Sequence, residues 1–496
     1  MENTHVKQHR KILQEIAHRV MVERGLLPEF SPEAIHELNR IQPPPISLDH
    51  GSMRDLRGLL WCSIDNDDSL DLDQLTVAEA LPDGKVKVLV AIADVDGVVK
   101  KGDAIDNHAR HNTTSVYTAA EIFPMLPEKL STDITSLNFD EERLAIVIEM
   151  VFNKKGIMQS ADIYTACVRN KAKLAYNSLA AWLQGEGPMP VAITPVKGLA
   201  ENLQMQDELA QKMKDLRHVH GALSLETIEA RPVFDGDAIR ELAKQEKNRA
   251  TEIIEDFMIA ANGVTARFLA SKKFPSLRRV VRTPRRWDRI VELAAGYKYE
   301  LPREPDSVEL QKFLIREKAD DPVRFPDLSL SVIKLLGSGE YVADFPGEAV
   351  PGHFGLAVKD YTHSTAPNRR YPDLITQRLL KAALTGAHVP YSSEEMEFLA
   401  RYCTEEEDVV NKVERQVEKS AAALLLENRI GEEFNAVVTG ASEKGTWIRL
   451  FKVPVEGKLV QNYAGVDVGD RVRAELISVD VERGFLDFKK IGPSSH

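Results

Sequence analysis

Cysteine is scarce, with three in 496 residues. Cys62, Cys167 and Cys403 lie far apart and form no CxxC pair, which argues against a disulfide framework or a cysteine-built zinc site. Long apolar runs are missing too. No stretch is long enough to span a bilayer, and the polar, Lys- and His-containing start lacks the apolar core and cleavage site of a secretory signal. These absences predict a reducing cytoplasm and no membrane partner; a monomer is expected. A positive balance is also lacking. The net charge of −12 argues against indiscriminate nucleic-acid binding over the whole surface, though it leaves room for a local basic channel. Repeats and low-complexity tracts are absent. Apolar content of 43% and charged content of 28% are ordinary for a globular protein, and the length allows one large catalytic domain with one or two small ones.

Acid is what the chain concentrates. Asp65, Asp67, Asp68, Asp71 and Asp73 fall within nine residues, ahead of the strand-like Leu75-Thr76-Val77-Ala78. Two unit charges about 4 Å apart repel by roughly 4 kcal/mol at an effective dielectric near 20, so such a cluster either splays into water or meets a cation. A calcium loop counted from Asp65 needs Gly at its sixth place and Glu at its twelfth. Leu70 and Thr76 stand there, and that reading fails. A phosphatase of the DxDxT type fits poorly, because Thr76 lies one place too far along. A solvated loop and a Mg²⁺ site built on Asp65, Asp71 and Asp73 remain. A second charged feature is the basic run Lys272, Lys273, Arg278, Arg279, Arg282, Arg285, Arg286 and Arg289, opposed locally only by Asp288. In an acidic protein this contrast favours phosphate contact over a merely solvated face.

Taken in order, the chain predicts helices first. Val6, Ile12, Leu13, Ile16, Val20 and Met21 form a helical stripe ending at Gly25. Ser31-Pro32 reads as an N-cap followed by proline in the first turn, opening a short helix through Asn39. The pair suits either a helix-turn-helix module or an amphipathic support for the next domain. Pro43-Pro44-Pro45 closes the segment. Strands are expected at Lys85–Val95, Arg143–Phe152 and Gln159–Val168, and helices at Ala200–His218 and Asn248–Lys272. Glu394–Leu426 reads as a helical connector. From Gly431 onward short alternating strands broken by glycines predict a small barrel, where Trp447, Phe451 and Tyr463 either stack on bases or line the barrel's core and rim.

Several stretches resemble the ribonuclease II and ribonuclease R family, which carries the RNB domain. Its signature is Ile-Asp, five residues, then Asp-x-Asp-Asp; here Ile64-Asp65 is followed by Asp71-Leu72-Asp73-Gln74. Gln74 departs from the family's fourth Asp. Ile92-Ala93-Asp94-Val95, Thr113-Thr114-Ser115-Val116-Tyr117, Phe123-Pro124-Met125-Leu126-Pro127 and Ser136-Leu137-Asn138 continue the likeness, with Thr118 in place of Leu. Far downstream, His353-Phe354-Gly355-Leu356-Ala357 and Tyr361-Thr362-His363-Ser364-Thr365-Ala366-Pro367-Asn368-Arg369-Arg370-Tyr371-Pro372-Asp373-Leu374 resemble the family's second motif. There Ser364, Ala366 and Asn368 replace Phe, Ser and Ile, while both arginines stay. The opening Gly431-Glu432-Glu433-Phe434 resembles the start of the family's terminal RNA-binding barrel. No cold-shock domain is recognisable in the residues ahead of the acidic motif.

The resemblance implies an α/β (α+β) catalytic domain of RNB type over 51–385. It adds an N-terminal helical segment at 1–50, a helical connector at 386–430 and an all-β OB-fold barrel at 431–496. It implies a Mg²⁺-dependent, processive 3′-to-5′ exoribonuclease that hydrolyses single-stranded RNA to nucleoside 5′-monophosphates in RNA decay or processing. Asp65, Asp71, Asp73 and Gln74 would face the metal, with Asp73, Arg369 and Arg370 catalytic. Tyr117 would clamp the terminal nucleotides, Tyr176 and Glu255 would read the ribose (with Asp256 as a substitute), and Arg282 would contact RNA. His108, His111, His353 and His363 read as structural or phosphate-facing. Because Gln74 offers no charge, the alternative is an RNB-like RNA-binding protein with reduced or no catalysis; Asp67 or Asp68 could compensate.

Overall fold

Two amphipathic helices begin the computed structural model, which describes residues 8–46, 53–245, 247–442 and 445–493. Helix α1 (His9–Glu23) buries Leu13, Ile16, Ala17, Val20 and Met21. In α2 (Pro32–Leu38) the Ser31 hydroxyl accepts the Ala34 N–H at 3.2 Å, ahead of a first-turn proline. The apolar face of α1 packs on the rest of the chain, joining Val116, Phe123, Val410 and Val413 in one cluster.

The central sheet is assembled from β1 (Arg54–Asp55), β2 (Cys62–Asp65), β3 (Gln74–Ala80) and β4 (Val86–Ala93). After α3 (Ala104–Asn112) and the small pair β5 (Val116–Tyr117) and β6 (Ile122–Phe123), it adds β7 (Glu142–Phe152), β8 (Met158–Arg169) and β9 (Ala172–Ala175). Its order is β1-β8-β7-β4-β3-β2-β9. The middle is antiparallel, whereas β1 pairs with β8, and β2 with β9, in parallel. Val88 to Ala93 of β4 are all buried, as expected for a β-branched strand covered on both faces. Helices α4 (Tyr176–Leu183), α5 (Leu199–Val219) and α6 (Arg249–Ser271) pack with the sheet. Asn202 and Gln206 of α5 hydrogen-bond to Ala78 and Thr76 of β3, fixing the helix against the strand.

Between α5 and α6 runs the hairpin β10 (Glu229–Asp235) and β11 (Ala238–Gln245). After α6 come β12 (Ser276–Val280), the helices α7 (Trp287–Gly296), α8 (Ser307–Asp320) and α9 (Phe325–Leu336) around their own apolar cluster, and β13 (Glu340–Asp344), which pairs with β12. Helix α10 (Tyr371–Thr385) follows the second motif. Helix α11 (Ser393–Leu426) is 34 residues long and ends inside the barrel core through Ala422, Ala423 and Leu426. The barrel closes as β14-β15-β16-β18-β17, from β14 (Glu433–Ser442), β15 (Gly445–Leu450), β16 (Glu456–Gln461), β17 (Arg471–Asp480) and β18 (Phe485–Pro493). Five strands closed in this way form an OB-like barrel. Architecture and expectation agree: a mixed α/β body with an all-β terminal barrel.

Candidate active site

The acidic loop lies where β2 stops and β3 begins. Asp65 ends β2, and its Oδ1 accepts the Asn66 N–H at 2.7 Å and the Ser69 hydroxyl at 2.8 Å. Lys173 Nζ donates to the Ser69 carbonyl at 2.5 Å. Ser136 secures the loop from the other side, its hydroxyl accepting the Leu72 N–H and donating to the Leu70 carbonyl, both at 2.9 Å. These anchors carry Asp71 and Asp73 inward and leave Asp67 and Asp68 exposed.

Asp73 is 1% exposed. Its Oδ1 accepts the Asn368 backbone N–H at 2.9 Å, while Oδ2 is buried without a hydrogen-bond donor and lies 3.5 Å from Arg369 Nε. Burial pushes its carboxyl up to about 8, against the pull of Arg369 and with the repulsion of Asp71. Asp71 is also raised, chiefly by burial. Its Oδ2 accepts the Tyr117 hydroxyl at 3.3 Å.

Hydrogen bonds explain how two motifs so distant in sequence meet. The Arg369 carbonyl accepts the Ser115 N–H and the Thr114 hydroxyl, both at 2.9 Å. The Tyr371 N–H reaches the Thr113 carbonyl at 2.8 Å. Before α10 the chain folds around Asp373, whose Oδ1 accepts the Thr365 and Ala366 N–H groups and Arg370 Nη2 at 2.8 to 2.9 Å. Arg370 is therefore held by an acid, while the Arg369 side chain stays 42% exposed beside Asp73.

Asp65, Asp71, Asp73, Tyr117, Tyr176 and Arg369 form one electrostatic neighbourhood. Tyr176, the first residue of α4, has its phenol raised by burial and then by Asp65. Gln74 opens β3 next to Asp73. Glu255 and Arg282 are engaged with other partners. Glu255 pairs with Lys247 at 2.8 Å and lies 4.0 Å from Arg217, and Arg282 pairs with Glu340. Asp256 points into the core, where Arg217 meets it at 2.7 Å and burial pushes its carboxyl up to about 7.

The basic run is less free than its local sequence suggests, because acids arrive from elsewhere in the chain. Arg278 pairs with Asp344 and Asp360, and Arg279 with Glu407. Arg285 and Arg286 remain exposed. The four histidines have structural surroundings. The His363 ring meets the Tyr341 hydroxyl at 2.8 Å, His353 Nδ1 accepts the Leu356 N–H, His111 meets the Gly25 carbonyl, and His108 packs on Phe30. On the barrel, Tyr463 is 48% exposed. Trp447 lines a cleft of about 530 Å³ between the barrel, α9 and α11, near Lys334, Arg415 and Lys419. Sequence reading gave no role to Thr135, Lys173 or Asp373. Of these only Asp373 carried a signal, as a residue of the second motif and an acid in the first turn of a helix.

Among the described residues, no three His, Cys, Asp or Glu side chains converge as a ready metal cage. Mg²⁺ commonly takes one or two carboxylates and completes its shell with water and substrate phosphate. The hard oxygen donors of Asp71 and Asp73, one of them buried without a hydrogen-bond donor, fit that mode.

A family model described as the RNB domain matches residues 53–386, and one for the RNase II-type exonuclease C-terminal S1 domain matches 432–491. The chain is 31% identical to the Ribonuclease R of Aquifex aeolicus, over 96% of this chain and 70% of that one. It is 30% identical to the Ribonuclease R of Thermotoga maritima, over 93% and 68% respectively. The solved structure of Mycoplasma genitalium RNase R in complex with ribose-methylated single-stranded RNA shares the fold, with a TM-score of 0.85 at 22% identity, covering 97% of this chain and 78% of that one. By the extent of these matches, the chain belongs to the RNB-domain family.

Proposed function

We propose that this protein is a Mg²⁺-dependent 3′-to-5′ exoribonuclease that degrades single-stranded RNA processively in the cytoplasm, releasing nucleoside 5′-monophosphates. One observation carries the reading: buried Asp73, with a carboxylate oxygen that accepts no hydrogen bond, faces Arg369 of the second motif at 3.5 Å. Family membership supports the same chemistry.

In this reading Asp71 and Asp73 would hold the metal, with Asp65 and Gln74 as further oxygen donors. When bound, Mg²⁺ supplies a water of lowered pKa and offsets charge on the phosphate. Arg369, half-exposed beside Asp73, would stabilise the scissile phosphate with its guanidinium as negative charge builds in the transition state. Arg370, held by Asp373, fixes the backbone that carries Arg369. Tyr117 stacks on the terminal nucleotides, and its hydroxyl bond to Asp71 sets the ring beside the acids. Tyr176 with Glu255 recognises the 2′-hydroxyl, which is both donor and acceptor and so distinguishes RNA from DNA. Engagement of Glu255 requires it to leave Lys247. Arg282 contacts the strand by exchanging Glu340 for phosphate.

Neutral Gln74 favours one second reading, an RNA-binding protein that grips without cutting. End-labelled RNA separates the two. A 3′ label should appear at once as a mononucleotide while a 5′ label stays on a shortening strand, and chelation should stop both until Mg²⁺ is restored. Tight binding with no release of either label would support the second reading.

A further inference from the structure

Asn368 and Thr135 occupy buried positions between the two motifs, at 1% and 5% exposure. The Asn368 N–H donates to Asp73 Oδ1 at 2.9 Å, and its side-chain Oδ1 lies 2.5 Å from the Thr135 hydroxyl. Thr135 directly follows the helical turn Lys129–Ile134. The next residue, Ser136, grips the acidic loop at Leu70 and Leu72, and Leu72 adjoins Asp73. These links close a ring: Asp73 to Asn368, Asn368 to Thr135, along the chain to Ser136, across to Leu72, and back to Asp73. Arg369 extends directly from the Asn368 corner.

A polar side chain at this corner is not favoured by burial alone. A buried amide loses hydration, and each group left unpaired adds to the penalty; Asn368 Nδ2 has no partner. An apolar residue would keep the backbone bond to Asp73 and avoid that penalty, but it would lose the link to Thr135. The link survives either amide orientation. The Thr135 hydroxyl is also 2.8 Å from the Leu130 carbonyl and has a single proton, so a turned amide could donate to it while it donates to Leu130.

We infer that Thr135 and Asn368 are positioning residues for phosphodiester hydrolysis, their side-chain hydrogen bond holding the Asp73 carboxylate in register with Arg369. This rests on the hydrolytic reading above. Neither residue needs to touch the strand, so the effect falls on turnover rather than on capture of RNA.

The test compares Thr135→Val, Thr135→Ser, Asn368→Ile and the Thr135→Val/Asn368→Ile double variant. It reads kcat and KM on single-stranded RNA, thermal stability, and hydrogen–deuterium exchange of the peptide spanning 366–370 without RNA or metal. Thr135→Val and Asn368→Ile should each lower kcat by about tenfold or more, since small misplacements at a reacting centre are expensive in rate, while KM stays within about twofold. The double variant should be no slower than the slower single one, because both break the same link. Thr135→Ser should recover most of the rate lost in Thr135→Val. Exchange at 366–370 should rise in Thr135→Val. Folded variants with wild-type kcat and unchanged exchange, losses that multiply, or an effect confined to melting temperature would overturn the inference. If the wild-type protein cleaves no RNA, the hydrolytic reading fails, and exchange alone decides: faster exchange in Thr135→Val upholds the positioning link, and unchanged exchange overturns it.

Discussion

Replacing Asp73 with Asn should make the metal-free protein more stable while removing its activity. The substitution keeps the side chain's shape and deletes its charge. In the native state burial, opposed by Arg369, raises this carboxyl from its ordinary 3.8 to about 8. Between those values the native protein holds a proton that the unfolded chain has released, so this group's contribution to stability declines as pH rises through that window. At pH 7 the gap spans about three pH units, or up to about 4 kcal/mol at roughly 1.4 kcal/mol per unit. The Asp73→Asn protein lacks the penalty. It should unfold at higher urea than wild type near pH 7 in chelator, with the difference shrinking toward pH 4. Its kcat should fall by at least about 10²-fold. Paired urea titrations across pH, with and without Mg²⁺, check the stability side. A variant less stable than wild type at pH 7, or a gap independent of pH, would refute the electrostatic account of Asp73.

Three further outcomes follow from the same site and its surroundings. Gln74→Asp adds a carboxylate beside Asp73 and should lower the Mg²⁺ concentration for half-maximal activity by about three- to tenfold; an unchanged Mg²⁺ titration would place residue 74 outside the ligand shell. Arg369→Ala should cut kcat by about 10²–10³, and Arg369→Lys should restore only part, because a compact ammonium lacks the guanidinium fork; single-turnover rates equal to wild type for Arg369→Lys would contradict this. Burial pushes His108 from 6.5 down to about 4. Unfolding then takes up a proton below pH 6.5, so stability present above that value is lost as pH falls toward 4, by about 3 kcal/mol. His108→Gln should flatten that acid arm in urea titrations, and an unaltered arm would rule His108 out as its source.

Much of the fold was legible because local patterns agreed with the elements they formed. The Val-, Leu- and Ile-rich stretches near 86–93 and 142–169 became the central strands, and the stripe around Ile253, Phe257 and Val264 became α6. The site's acids and arginines were legible as residue types at characteristic spacings. Their meeting was not, because it depends on main-chain bonds from Thr113–Ser115 to Arg369 and Tyr371, and backbone pairing leaves little mark on side-chain identity. The basic run misled for a related reason. Local charge counting cannot see Asp344, Glu407 or Glu340 arriving from far along the chain. Thr135 also escaped notice, since a lone threonine after a helical turn carries no signal until Asn368 stands opposite it.

The most direct measurement is a time course on 5′-labelled single-stranded RNA with Mg²⁺, run beside the matched DNA strand and the Asp73→Asn protein. The account predicts progressive shortening of RNA alone, abolished by chelator and by the substitution. Tight RNA binding without shortening, or equal degradation by the Asp73→Asn protein, would contradict it.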